Sequence, residues 1–152
     1  MARIQAGLDA YRATGAALFV PYSLALLGVV HGAAGRAAEG QRLVAEALDA
    51  VNATGERWFE AELHRIEGEL LRSAGWDRGT TEARFLRAMA IAREQNAKLW
   101  ELRAAISLAN LWRDQGRRAE AHDLLAPIYG WFSEGFDTPD LKEARALLQE
   151  LR

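Results

Sequence analysis

The run GERWFEAELHRIEGELLRSAG, residues 55–75, decides the fold. Between its two terminal glycines, Phe59, Leu63, Ile66 and Leu70 recur at i, i+4, i+7 and i+11. That is the apolar stripe of an amphipathic helix, with Glu60, Glu62, Arg65, Glu67, Glu69 and Arg72 around it. Glycine most readily adopts the left-handed backbone that ends a helix, so Gly55 and Gly75 read as chain reversals at the two ends of one rod. The same marks recur outward from this run. Gly15, Gly55 and Asn96 form one series and Gly35, Gly75 and Gly116 a second, each stepping by 40 and then 41 residues. A fixed period with alternating stops is the signature of stacked helix pairs.

The period divides the chain, 1–152, into one domain of repeats: a half repeat at 1–14, full units at 16–55, 56–96 and 97–133, and a capping helix at 138–152. Ile4, Leu8 and Tyr11 give the first segment its apolar stripe, and it reads as the second helix of a unit whose first helix lies outside this stretch. In the first full unit, Gly28 and Gly40 fall where two helices would cross closely, and Gly68 repeats that position in the second. The helix facing residues 56–73 is expected to start at Thr80 or Thr81, with Phe85, Ala88, Met89 and Ala92 inward. In the third unit the first helix is apolar almost all round, leaving Arg103, Ser107, Asn110 and Asp114 as its polar stripe. Thr138 and Pro139 then start the last helix. The fold expected is all-α, a right-handed α-solenoid of about seven helices with a repeat period of 40–41.

Composition narrows the function. With 19 Lys plus Arg against 21 Asp plus Glu, the formal net charge is -2, and no strong positive field argues for nucleic acid. The chain has no cysteine, which excludes disulfides, thiolate metal sites and cysteine nucleophiles and is compatible with a cytoplasmic setting. Residues 16–35 carry no charge over a length that could span a bilayer, yet Pro21, Tyr22, Ser23 and His31 interrupt them and they align with charged helices at the repeat period. They are expected to be a buried helix, not a membrane span. His31, His64 and His122 have no second histidine one turn away, and no nucleophile-elbow or phosphate-loop motif occurs. No catalytic residue, metal or cofactor is expected, and no enzyme. Trp58, Phe59, Trp100, Trp112, Trp131 and Phe132 are expected to pack in the core or at helix ends.

Beside the bare periodicity, Leu24, Leu27, Gly28 and His31 follow the W-x2-L-G-x2-Y spacing of the tetratricopeptide repeat, and Gly40, Val44 and Ala47 its A-x3-F-x2-A spacing. Longer segments carry a closer likeness: Tyr11-Arg-Ala-Thr-Gly15, Thr54-Gly-Glu-Arg-Trp58, Ala61-Glu-Leu-His-Arg65, Leu111-Trp-Arg-Asp-Gln-Gly-Arg117, Leu125-Ala-Pro-Ile-Tyr-Gly-Trp-Phe132 and Glu134-Gly-Phe-Asp-Thr-Pro-Asp-Leu141. On these, Arg3 to Arg152 resembles the C-terminal tetratricopeptide-like region of bacterial multidomain proteins that carry an adenylate/guanylate cyclase domain and a predicted NTPase domain. The resemblance implies a non-catalytic helical module attached to a signalling enzyme.

The residues expected to face the concave groove are Tyr22 and Val29, then Glu62, Arg65, Glu69 and Arg72, then Arg103, Ile106, Asn110 and Arg113, and of these all but Val29 and Ile106 are the eight candidate binding residues. Arginines beside Asn110 suit a carboxylate or an acidic peptide segment. The other reading of the same residues is a solvated face in which Glu62 and Glu69 pair with Arg65 and Arg72. The expected role is a protein-interaction and regulatory scaffold for a protein or peptide partner. Two alternatives stand beside it: a homodimer formed through the apolar helix 16–34, and a small-ligand sensor in the groove.

Overall fold

The computed structural model describes residues 2–152. Eight helices occupy them: α1 (Ala2–Ala13), α2 (Val20–Ala33), α3 (Ala37–Thr54), α4 (Glu60–Ser73), α5 (Arg78–Glu94), α6 (Lys98–Asp114), α7 (Arg118–Tyr129) and α8 (Pro139–Glu150). No strand occurs among the described residues. The count is eight against an expected seven or so, and it equals what the expected units hold: one rod in the half repeat, two in each of three full units and the capping helix.

The reversals sit where the two series place them. Gly15, Gly35, Gly55, Gly75 and Gly116 all have φ between +71° and +80°, and Asn96 has φ 51°. Asn96 fills a place held by glycine in the other units, and asparagine is among the few side chains that tolerate this backbone. Each reversal folds a helix back on its predecessor, so α2 packs along α3, α4 along α5 and α6 along α7. α2, α4, α6 and α8 also touch in succession, forming one layer, and α3, α5 and α7 lie behind it.

Close crossings explain the small residues. A Cβ at Gly28 would lie 3.1 Å from the Gly40 carbonyl oxygen, and one at Gly40 would lie 2.8 Å from the Gly28 carbonyl oxygen. Helix α5 begins two to three residues earlier than the threonines suggest, because Asp77 caps it: its Oδ2 accepts from the Thr80 backbone N–H at 2.9 Å. Thr81 instead turns inward, buried, and donates to the Asp77 carbonyl oxygen at 3.1 Å.

The core runs the length of the stack. Leu24, Leu27, Val44, Leu63 and Leu70 fill the N-terminal half, and Phe85, Met89, Leu102, Leu108, Leu125 and Leu148 the C-terminal half. Trp58 and Trp131 stand exposed at helix ends, just before α4 and just after α7, the second of the two placements expected for the aromatics. One expectation needs correction. Helix α2 is buried on one side only: Tyr22, Leu26 and Val29 stay exposed along the other. No described helix is long and apolar enough to cross a membrane.

Candidate functional site

The front layer supplies the site. Its rods present their outward positions at helical spacing, so residues 62, 65, 69 and 72 of α4 line up beside 103, 107 and 110 of α6. The carboxylate of Glu62 is buried between two arginines, accepting from Arg65 Nε at 2.8 Å and Nη2 at 2.6 Å and lying 2.9 Å from Arg103 Nη2. Arg65 Nη1 reaches across to donate to Ser107 Oγ at 3.4 Å. Burial alone would lower the affinity of the Arg65 guanidinium for its proton, and the bonds to Glu62 outweigh it, so its pKa lies above the ordinary arginine value. Arg103 also approaches Asp140 of α8 at 3.5 Å and sits over the Trp100 ring at 5.4 Å. Glu69 binds Arg72 Nε at 3.0 Å and faces Arg65 at 3.9 Å.

Together Arg65, Glu69, Arg72, Arg103 and Asn110, with Ile106, Ser107, Asp140 and Glu143, enclose a polar cavity of about 150 Å³. The structure therefore brings six of the eight expected residues together, Glu62 as the buried bridge between two arginines. Tyr22 is elsewhere, its ring 5.1 Å from Phe59 and 6.0 Å from Trp58. Arg113 lies in a neighbouring cleft, tied to Asp114 and Glu150 at 3.0 Å each.

The arginines of this cavity are largely matched by acids of the same layer. The side chain of Asn110 makes no hydrogen bond among the described residues, and Arg72 Nη1 takes no partner among them, so these two groups remain for a ligand.

Sequence reasoning missed a second cavity. Between α2 and α4 lies an apolar cleft of about 320 Å³, lined by Val29, Gly32, Ala33, Ile66 and Leu70, with Arg65, Glu69, Arg72 and Ser73 as its polar wall. No spacing in the sequence marks it, since at Gly32 the place a Cβ would take is already filled by Leu70, whose Cδ2 would lie 2.5 Å from it. The two cavities share Arg65, Glu69 and Arg72 as a common wall. Away from the groove, His64 Nδ1 lies 3.5 Å from Glu67, which also meets Arg84 at 3.3 Å. No group of three or more metal-ligating side chains occurs among the described residues.

No family model matches the chain. It is similar to an uncharacterized protein of Rhizobium meliloti (strain 1021), at 33% identity over 110 residues, which is 72% of this chain and 11% of that protein's length.

Proposed function

We propose that the chain is a non-catalytic interaction module. In this reading it is a right-handed stack of tetratricopeptide-like hairpins, working in the cytoplasm within a larger bacterial signalling protein and holding a protein or peptide segment in its groove. The observation that carries the reading is the pair of adjoining cavities, one apolar and one polar, behind the shared wall of Arg65, Glu69 and Arg72. The wall is preformed by its own ion pairs, which lowers the ordering cost of binding. The segment that suits it has an apolar side chain for the cleft at Val29, Ile66 and Leu70, followed by a carboxylate or amide for Arg72 and Asn110. The likeness to a small part of a far longer protein supports the placement in a larger chain.

Selection of peptides from a random display library tests this. Enriched peptides are expected to pair an apolar residue with an acidic or amide residue, and to lose roughly tenfold or more in affinity to V29E and to R72E. Both side chains are exposed enough to change without unfolding the stack. Selected peptides indifferent to both changes, or no enrichment, overturn the reading.

A second reading is favoured by the apolar cleft itself, whose volume of about 320 Å³ falls at the low end of small-molecule sites. A metabolite that raises the melting temperature of the native chain and not of V29E would select the sensor over the peptide groove.

A further inference from the structure

Successive rods of the front layer carry equivalent positions, and on α8 three of those positions hold acids. Arg103, Ile106, Asn110 and Arg113 of α6 have as counterparts Asp140, Glu143, Leu147 and Glu150 of α8, each 37 residues later. Two of the acids are matched across the seam at that offset: Asp140 lies 3.5 Å from Arg103, and Glu150 lies 3.0 Å from Arg113. Glu143 is the third. Its counterpart Ile106 supplies no cation, and its carboxylate has no hydrogen-bond or ion-pair partner among the described residues.

Around Glu143 the groove gains a third compartment. Glu143 lines the polar cavity of about 150 Å³ together with Arg72 and Asn110. With Asn110 it also lines a cavity of about 200 Å³ that includes Ala146, Leu147 and Arg113. Three cavities therefore follow one another across the layer: an apolar one between α2 and α4, a polar one against α4, α6 and α8, and a third between α6 and α8. Arg65, Glu69 and Arg72 divide the first pair, and Asn110 and Glu143 divide the second. All three lie between packed rods of the layer and not on an end face of the stack.

The charges left over at the two dividing walls have opposite signs. At the first wall Glu69 takes Arg72 Nε and Nη2, and Arg72 Nη1 has no partner among the described residues. At the second Glu143 is unmatched, because Arg113, the cation of the third cavity, is held by Asp114 and Glu150.

We infer that the segment held in this groove is charge-ordered: an apolar side chain at Val29 and Ile66, an acid or amide at Arg72, and a lysine or arginine at Glu143. The inference rests on the peptide reading above and adds to it the basic residue and its place. The basic head meets the Glu143 carboxylate and the side-chain oxygen of Asn110, and its aliphatic stem lies along Ala146 and Leu147, since long charged side chains bury their stems on apolar surface. A wholly acidic segment would set like charges together at Glu143, which disfavours it. The first and third cavities are two inter-rod spacings apart, about 16–20 Å at 8–10 Å per spacing, and an extended chain covers that in about five or six residues.

Selection from a display library of random peptides against the full chain reads this order directly. Enriched sequences are expected to hold an apolar residue, an acid or amide, and then Lys or Arg within about six residues, in either chain direction. An enriched peptide is expected to bind E143R roughly tenfold more weakly; with its basic residue changed to Glu it should lose as much on the native chain and recover on E143R. Glu143 is exposed and unpaired, so E143R should keep the native melting temperature. Enriched peptides that lack a basic residue, or that bind E143R as they bind the native chain, overturn the charge order; if they still respond to V29E and R72E, the peptide groove itself stands. No enrichment overturns both.

Discussion

Gly68 faces the ring of Phe85 so closely that a Cβ on it would lie 2.5 Å from Phe85 Cε1. This contact sets the spacing of α4 and α5. Because Phe85 is fully buried, its ring has no room to withdraw. Gly68→Ala is expected to destabilise by about 1–3 kcal/mol through overpacking, with Gly68→Leu at or above the upper end. Gly7→Ala has the opposite sign, because the space beyond it is open and alanine is the better helix residue, by about 0.5–1 kcal/mol. Urea unfolding of the two alanine variants should move the midpoint in opposite directions; a shift in the same direction would contradict the crossing geometry.

Glu62 is the hub of the groove wall. Its buried carboxylate holds Arg65 and Arg103 from two successive rods, so removing it leaves two guanidinium groups without their shared anion. Glu62→Ala is expected to cost about 3 kcal/mol, the low end for a broken buried ion pair because Arg103 keeps partial access to water. The loss should be visible as a lower urea midpoint, and Glu62→Gln should recover part of it through hydrogen bonds alone.

Glu101 makes stability depend on acidity. Burial pushes its carboxyl up, and the bonds from Lys98 at 2.8 Å and Arg93 at 2.7 Å outweigh this, leaving its pKa below the ordinary glutamate value. A group whose pKa is lowered by folding stabilises above its unfolded pKa, and that contribution disappears as pH falls through the folded value. Glu101→Gln should therefore lower the melting temperature near neutrality and converge with the native chain as pH drops below the ordinary glutamate range. Melting curves recorded as a pH series would show a constant gap if Glu101 had no such role.

Much of the architecture was legible because the reversals need a left-handed backbone, and few residue types supply one. Gly35 and Gly75 mark their turns without any knowledge of the packing. The start of α5 was misplaced because Asp77, Thr80 and Thr81 are all good caps, and only the burial of Thr81 decides among them. In the site, spacing on α4 and α6 placed Arg65, Arg72 and Arg103 side by side. Spacing could not place Arg113, whose rotamer follows Glu150, a residue of α8 distant in sequence. Nor could it find the cleft beside Val29, which depends on how α2 and α4 splay around the tight contact of Gly32 with Leu70.

Asn96 is where the period departs from glycine, and that makes it a direct test of the reversal series. Its φ of 51° lies in a region that a side chain with Cβ occupies at a cost, which asparagine tolerates better than most residues. Asn96→Ala puts a residue that tolerates this backbone poorly in its place and should destabilise by about 1 kcal/mol. Asn96→Gly removes the strain but loosens the unfolded chain, so the two effects oppose and the net change should fall within about 0.5 kcal/mol of zero. Thermal unfolding of both variants distinguishes a reversal held by backbone conformation from one held by side-chain contacts. An Asn96→Gly variant as unstable as Asn96→Ala would show that the amide of Asn96 holds the turn, and the equivalence with Gly15 and Gly55 would then be coincidental.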